Sequence, residues 1–369
     1  MRANMPANRS LRTMEKFRIG LTRDFLGPDG RLAFKDIGLG RLDRVAAIEY
    51  EFLPTRSPVA TPEELRPYDA VIWLGPRVTR ASLVGVERLV AIARFGVGYD
   101  NIDVAACTDA DVLLFIARGA VNRPVAEAIL TLMLALGHRL FLKDRLMREG
   151  RWAERGLYNG IELRDRVVGS VGLGGIGGEL CRLLQPFGIR AFLAYDPYCP
   201  AERARELGAQ LVPLAALLRE SDFITINCPL NDETRGLIGA RELTWVRPTA
   251  YLINTARGGI VDEDALYDAL ATGRLAGAAI DVWAEEPPTR RHPLLDLHQV
   301  IATPHAIAWT DELFRDNGRS NVAGLLRLFH GEPPDHLVNP EALARPGVQR
   351  KLARLRERFG HLPIPPPEA

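Results

Sequence analysis

Cysteine is scarce in this 369-residue chain: only Cys107, Cys181, Cys199 and Cys228 occur, and no two form a Cys-x-x-Cys pair. That spacing excludes a cysteine metal site and a disulfide framework, and fits small thiols in a reducing compartment. Apolar runs of about 18 residues, enough to cross a bilayer, are also missing, so no membrane partner is expected. The opening stretch MRANMPANRSLRTME carries Arg2, Arg9 and Arg12 without an apolar segment. It reads as a flexible extension rather than a secretory leader, and the expected location is cytoplasmic. A net charge of +1 is too small for a nucleic-acid footprint.

The length suits two domains, and a 47% apolar content supplies core for both. Short apolar runs alternate with helical patterns, which predicts parallel βαβ units. A first block of strands is expected at Arg18–Thr22, Ile48–Leu53, Ala70–Leu74, Leu89–Phe95 and Val112–Ala117. A second is expected at Val167–Leu173, Ala191–Tyr195, Phe223–Asn227, Ala250–Asn254, Ala278–Val282 and Val300–Ala302. These runs are apolar without alternation, as strands covered on both faces should be. Between the blocks, one long helix is expected from Pro124 to about Glu149. It is apolar on nearly every face up to Leu136, which points to burial between domains or in a subunit interface. After Asn339-Pro340 the chain turns basic, predicting a solvated helix and a disordered Pro-rich tail.

The strongest local signal is Gly172-x-Gly174-x-x-Gly177, which follows an apolar strand and opens a helix. There Gly172 permits a tight turn, Gly174 lets backbone approach a pyrophosphate, and Gly177 allows close helix–strand packing. Asp196 ends the next strand, near the spacing of about 20 residues at which an acid accepts hydrogen bonds from the adenosine ribose. Its charge would repel a 2′-phosphate, so the expected cofactor is NAD.

Three polar residues close later strands: Arg257 in INTARGG, Glu286 in DVWAEEP and His305 in ATPHAIAW. Ligands of open α/β sheets bind outside the carboxyl ends of the strands, so all three should face one crevice. The ordered motifs VGLGGIG, NTARGGIVDE, DVWAEEP and TPH, with RFGVGYDNID upstream, resemble the D-isomer-specific 2-hydroxyacid dehydrogenases over roughly Arg18 to Leu343.

That resemblance implies an α/β fold of two doubly wound parallel-sheet domains, a Rossmann cofactor domain inserted into a flavodoxin-like substrate domain. The expected boundaries are a flexible extension over residues 1–16, a substrate domain over 17–120 plus 305–340, an NAD domain over 121–304, and a basic helix with a Pro-rich tail over 341–369. It implies His305 as general acid and base, Glu286 as its partner, and Arg257 as the group that holds the substrate carboxylate and carbonyl oxygen. The backbone of Val97 and Gly98 would also grip the carboxylate. Gly175 and Ile176 would lie over the pyrophosphate, Cys228 and Pro229 beside the adenosine, and Thr255 and Ala256 along the nicotinamide. Asp281 would hold the carboxamide. No metal is implied, and no regulatory domain is expected after Asn339.

The implied reaction moves a hydride between the nicotinamide and C2 of a small 2-hydroxy or 2-oxo acid. Glu286 stands against a formate dehydrogenase, which pairs this histidine with glutamine. A phosphite-type dehydrogenase and a nucleotide-sensing corepressor-like binding protein remain open. A homodimer is expected through the Pro124–Glu149 helix and the cofactor domains. His138, His292, His298, His330 and His336 match no motif and read as surface or packing residues. Trp309 reads equally as a pocket wall or core. Asn227 stands where many relatives have histidine, and Tyr99 leaves substrate size open.

Overall fold

The computed structural model describes residues 15–54, 57–288 and 291–366. All but the last two residues of the expected N-terminal extension lie outside that range. Among the described residues twelve strands form: β1 (Phe17–Leu21), β2 (Ile48–Phe52), β3 (Ala70–Trp73), β4 (Ala91–Arg94), β5 (Leu113–Ile116), β6 (Val167–Val171), β7 (Ala191–Tyr195), β8 (Gln210–Leu211), β9 (Phe223–Ile226), β10 (Tyr251–Asn254), β11 (Gly277–Ile280) and β12 (Val300–Ala302). The chain divides into two units, residues 1–120 with 311–369, and residues 121–310. The return crossing thus falls after Thr310, so His305 belongs to the second unit.

The first unit holds a five-stranded parallel sheet in the order β2-β1-β3-β4-β5, the flavodoxin-like winding. The second holds seven parallel strands in the order β12-β11-β10-β9-β6-β7-β8. The winding reverses between β6 and β9, and such a switch point opens a crevice at the carboxyl ends of the strands. Adjacent residues in β9, β10 and β11 feed opposite cores. Phe223, Tyr251, Ile253 and Ala279 pack on one face; Ile224, Leu252, Ala278 and Ile280 pack on the other. Double coverage explains why these runs are apolar without alternating.

Two expectations need correction, and one strand is new. The predicted Pro124–Glu149 helix is two helices, Asn122–Gly137 and Leu140–Arg148, bent by 57°. The break has a structural cause. Ile161 N donates to Gly137 O at 2.8 Å, occupying the carbonyl that a continuous helix would give to residue 141, and Arg139 turns left-handed at φ 54°. The short edge strand β8 was not foreseen, since its two residues carry no periodic signal.

The basic C-terminal stretch is not merely a solvated helix. Helix Pro346–Phe359 buries Val348, Leu352, Leu355 and Phe359, spaced along one helical face. Phe359 stacks on Phe329 at 4.8 Å and meets Phe17 edge-on at 6.1 Å. Lys351 Nζ donates to the carbonyls of Leu89 at 2.7 Å and Asp111 at 2.9 Å, and burial pulls its pKa down to about 8. This helix is part of the first unit's core. Phe359→Ala should therefore lower stability by about 3–5 kcal/mol in denaturant unfolding, as truncating a buried aromatic does; an unchanged midpoint would refute the packing.

Candidate active site

The register of the second sheet builds the site. Val171 pairs with Tyr195 and Ile226, Ile226 with Asn254, Asn254 with Ile280, and Ile280 with Ala302. The strand ends form one row, so the loops that follow leave from one edge.

The loop after β6 is the glycine turn. Gly172 has φ +101°, and a Cβ there would lie 2.8 Å from the Asn227 carbonyl carbon. A Cβ at Gly177 would lie 2.5 Å from Gly172 O, and one at Gly175 would lie 2.5 Å from Asn122 Oδ1. Gly174, by contrast, faces open space within 4 Å. The turn is closed behind and open in front. Helix Gly175–Leu184 begins here, and Gly178 N donates to Gly174 O at 2.9 Å to close its first turn. The amides of Gly175, Ile176 and Gly177 precede that bond, the arrangement that receives phosphate oxygens.

Asp196 follows β7. Its Oδ2 accepts from Leu173 N at 2.8 Å inside the glycine turn, and its Oδ1 accepts from Tyr198 N at 3.0 Å. The acid therefore shapes the turn. After β9, Asn227 Nδ2 donates to Ser170 Oγ and Thr225 Oγ1, both at 2.8 Å. Burial pushes the Cys228 thiol up to about 11, which makes it a poor nucleophile. Pro229 O accepts from Thr234 Oγ1 at 2.6 Å.

After β10, the buried Asn254 ties the next turn: its Oδ1 accepts from Ala256 N at 3.1 Å and its Nδ2 donates to Arg257 O at 3.0 Å. Arg257 is half-buried, with Nη1 donating to Ala256 O at 2.7 Å. Among the described residues, the buried Thr255 Oγ1 has no hydrogen-bond partner. An orphaned hydroxyl, three leading helix amides, an open Gly174 and a strand-end acid together fit a dinucleotide such as NAD.

The loops after β11 and β12 are laced together by Asp281. Its Oδ1 accepts from Thr303 Oγ1 at 2.6 Å, Ala306 N at 3.0 Å and Ile307 N at 3.2 Å, and its carbonyl accepts from His305 N at 2.8 Å. These bonds hold His305 at φ +52°, a left-handed conformation that costs a non-glycine residue about 1–3 kcal/mol. The sequence reading gave Asp281 a cofactor contact and missed this anchoring.

His305 Nδ1 lies 2.8 Å from Glu286 Oε2, and Glu286 Oε1 accepts from Trp283 N at 3.1 Å. Burial works against ionisation of Glu286. The hydrogen bonds from His305 and Trp283, with the charges of His305 and Arg257, outweigh it and hold the carboxyl below its ordinary range. An ionised Glu286 fixes the proton of neutral His305 on Nδ1, so Nε2 carries the lone pair. Arg257, Glu286 and His305 thus belong to one electrostatic cluster.

Val97 and Gly98 belong to the first unit, in the loop after β4. Arg94 Nε donates to Gly98 O at 2.6 Å and Arg94 Nη1 bonds Phe95 O, while Gly96 takes φ +127°. The amides of Val97 and Gly98 donate to no other described residue, which suits a carboxylate ligand. Trp309 is exposed, which removes its core reading. His292, read as a surface or packing residue, is largely buried and bonded to Glu263. Neither Asn254 nor Glu263 was singled out in the sequence, although a polar residue ending an apolar strand was a usable signal for Asn254.

Residues 130–306 match the model of the D-isomer specific 2-hydroxyacid dehydrogenase NAD-binding domain. The D-3-phosphoglycerate dehydrogenase of Methanocaldococcus jannaschii is 37% identical over 287 residues, 78% of this chain and 53% of that protein. The chain spans about half the length of such curated phosphoglycerate dehydrogenases. The glyoxylate reductase of Korarchaeum cryptofilum is 37% identical over 267 residues, 71% of this chain and 80% of that protein. Among solved structures, the NAD-dependent formate dehydrogenase of Staphylococcus aureus in complex with NAD superposes with a TM-score of 0.73 at 26% identity, covering 87% of this chain and 98% of that one. With four fifths of a glyoxylate reductase covered at this identity and the cofactor domain matched by the family's own model, the chain belongs to the D-isomer-specific 2-hydroxyacid dehydrogenase family.

Proposed function

We propose that this chain is an NAD-dependent oxidoreductase that interconverts a small D-2-hydroxy acid and its 2-oxo acid. The observation that carries this reading is the 2.8 Å contact between His305 Nδ1 and Glu286, within the field of Arg257 and at the same sheet edge as the glycine turn. NAD, held by the glycine turn at Gly172–Gly177 and by Asp196, would supply the hydride acceptor or donor for C2 of the acid. His305 Nε2 removes the hydroxyl proton as the hydride leaves, and supplies it in the reverse direction. Glu286 stabilises the imidazolium that results. Arg257 offers a planar fork to the carboxylate and to the oxygen on which charge develops. Asp196 favours NAD over NADP, because a 2′-phosphate would meet its carboxylate.

The matched relatives support this class. Glu286, ionised and bonded to His305, favours an acid whose hydroxyl proton must be handled. No observation favours the phosphite or corepressor reading.

A homodimer through the cofactor unit fits the surface. Leu140, Phe141, Met147, Trp152 and Leu157 are all exposed within one short segment, and clustered apolar exposure marks an interface. Four free thiols fit a reducing, cytoplasmic setting.

NADH consumption measured against a panel of 2-oxo acids (glyoxylate, hydroxypyruvate, pyruvate, branched and phosphorylated acids) tests the activity, and silence across the panel would reject it. With the preferred acid, His305→Ala should lower kcat by about two to four orders of magnitude; a near-normal kcat would reject the assigned role. Sedimentation should show a dimer that Phe141→Asp combined with Trp152→Asp converts to monomer. A monomeric parent protein would overturn the interface.

A further inference from the structure

Two of the loops that carry the reacting groups meet through backbone alone. A Cβ on Gly258 would lie 1.9 Å from Trp283 O and 2.5 Å from Ala284 N. The Arg257 turn is therefore pressed against the loop that leads to Glu286, with no side chain between them.

One carboxylate fastens that contact. Glu263 is the first residue of helix Glu263–Ala271, which follows the Arg257 turn. Its Oε1 accepts from Ala284 N at 2.7 Å. The preceding amide, Trp283 N, donates to Glu286 Oε1 at 3.1 Å. Two consecutive amides of one loop are thus held by two glutamates, one outside the reacting cluster and one inside it. The other oxygen of Glu263 meets His292 Nε2 at 3.0 Å, and the two side chains are only 17% and 18% exposed. The His292 ring stands edge-on to Trp283 at 5.2 Å, and Trp283 Nε1 donates to Thr303 O at 3.2 Å, two residues before His305. The pair therefore reaches the loop that leads to Glu286 and, through Trp283, the segment that leads to His305, from a helix that follows the Arg257 turn.

We propose that Glu263, buttressed by His292, is a positioning residue that locks the Trp283–Glu286 loop onto the Arg257 turn and so sets the placement of Glu286 on His305 Nδ1. This rests on the dehydrogenase reading for its kinetic consequence, though not for its geometry. Removing the carboxylate frees Ala284 N, and Glu286 loses the fixed loop from which it reaches His305. Glutamine at the same position keeps an oxygen for Ala284 N and an amide for His292, so the loop stays in place.

The test compares Glu263→Ala with Glu263→Gln in the full chain. Glu263→Ala should lower kcat about 10- to 100-fold, the scale of a misplacement of about 1 Å at a reacting group, while NADH affinity and melting temperature change little. Glu263→Gln should stay within about threefold of the parent protein. In parallel, NMR titration of the His305 ring, assigned with His305→Ala, needs no turnover. A loosened carboxylate stabilises imidazolium less, so the titration should move to lower pH in Glu263→Ala and stay in place in Glu263→Gln. An unmoved titration in Glu263→Ala overturns the proposal. So does equal damage in both variants, or a kcat loss matched by falls in NADH affinity and melting temperature. If the parent protein reduces no 2-oxo acid but the titration moves as expected, the positioning role stands and the dehydrogenase reading falls.

Discussion

The parallel register of the second sheet is the constraint on which the chemistry depends. Its strands are buried on both faces, so hydrophobic patterning alone would barely resist a one-residue slip: either face of β9, β10 or β11 is apolar. A slip would still carry each loop about 3.3 Å along the strand and scatter the reacting groups. Polar residues at the strand ends act as stops. Asn227 bonds Ser170 and Thr225, Asn254 closes the Arg257 turn, and Asp281 gathers the amides around His305. At the opposite end, Asp222 Oδ2 accepts from Val167 N at 2.8 Å. Asn254, Asp281 and Asp222 are buried, and breaking their bonds would leave a buried polar atom unsatisfied, at about 1–3 kcal/mol.

Some of this was legible in the sequence because certain residues have no substitutes. Only glycine tolerates the approach of Gly172 to Asn227 and of Gly177 to Gly172 O, so the turn announces itself. The β-strands were readable because doubly covered strands are short, apolar and punctuated. Arg257, Glu286 and His305 were readable because polar residues after apolar strands carry a reason to be there.

The misses share a different character. The helix break at Arg139 depends on Ile161 reaching Gly137 O, a contact between residues far apart in sequence. The docking of helix Pro346–Phe359 was hidden because its arginines dominate the composition while four apolar residues do the packing. The Glu263–His292 pair spans 29 residues and matches no spacing rule. Local pattern exposes local geometry; bonds across the fold need the fold.

The two chain crossings carry a consequence for how the molecule comes together. The second unit is one continuous segment, residues 121–310, and can complete its core as soon as that segment has been made. The first unit cannot. Phe17 waits for Phe329 and Phe359, and Leu114 N waits for the buried Asn339 Oδ1, which it meets at 2.8 Å. The strands synthesised first are thus among the last to find their full set of neighbours, and until then they present incomplete apolar faces to the cell.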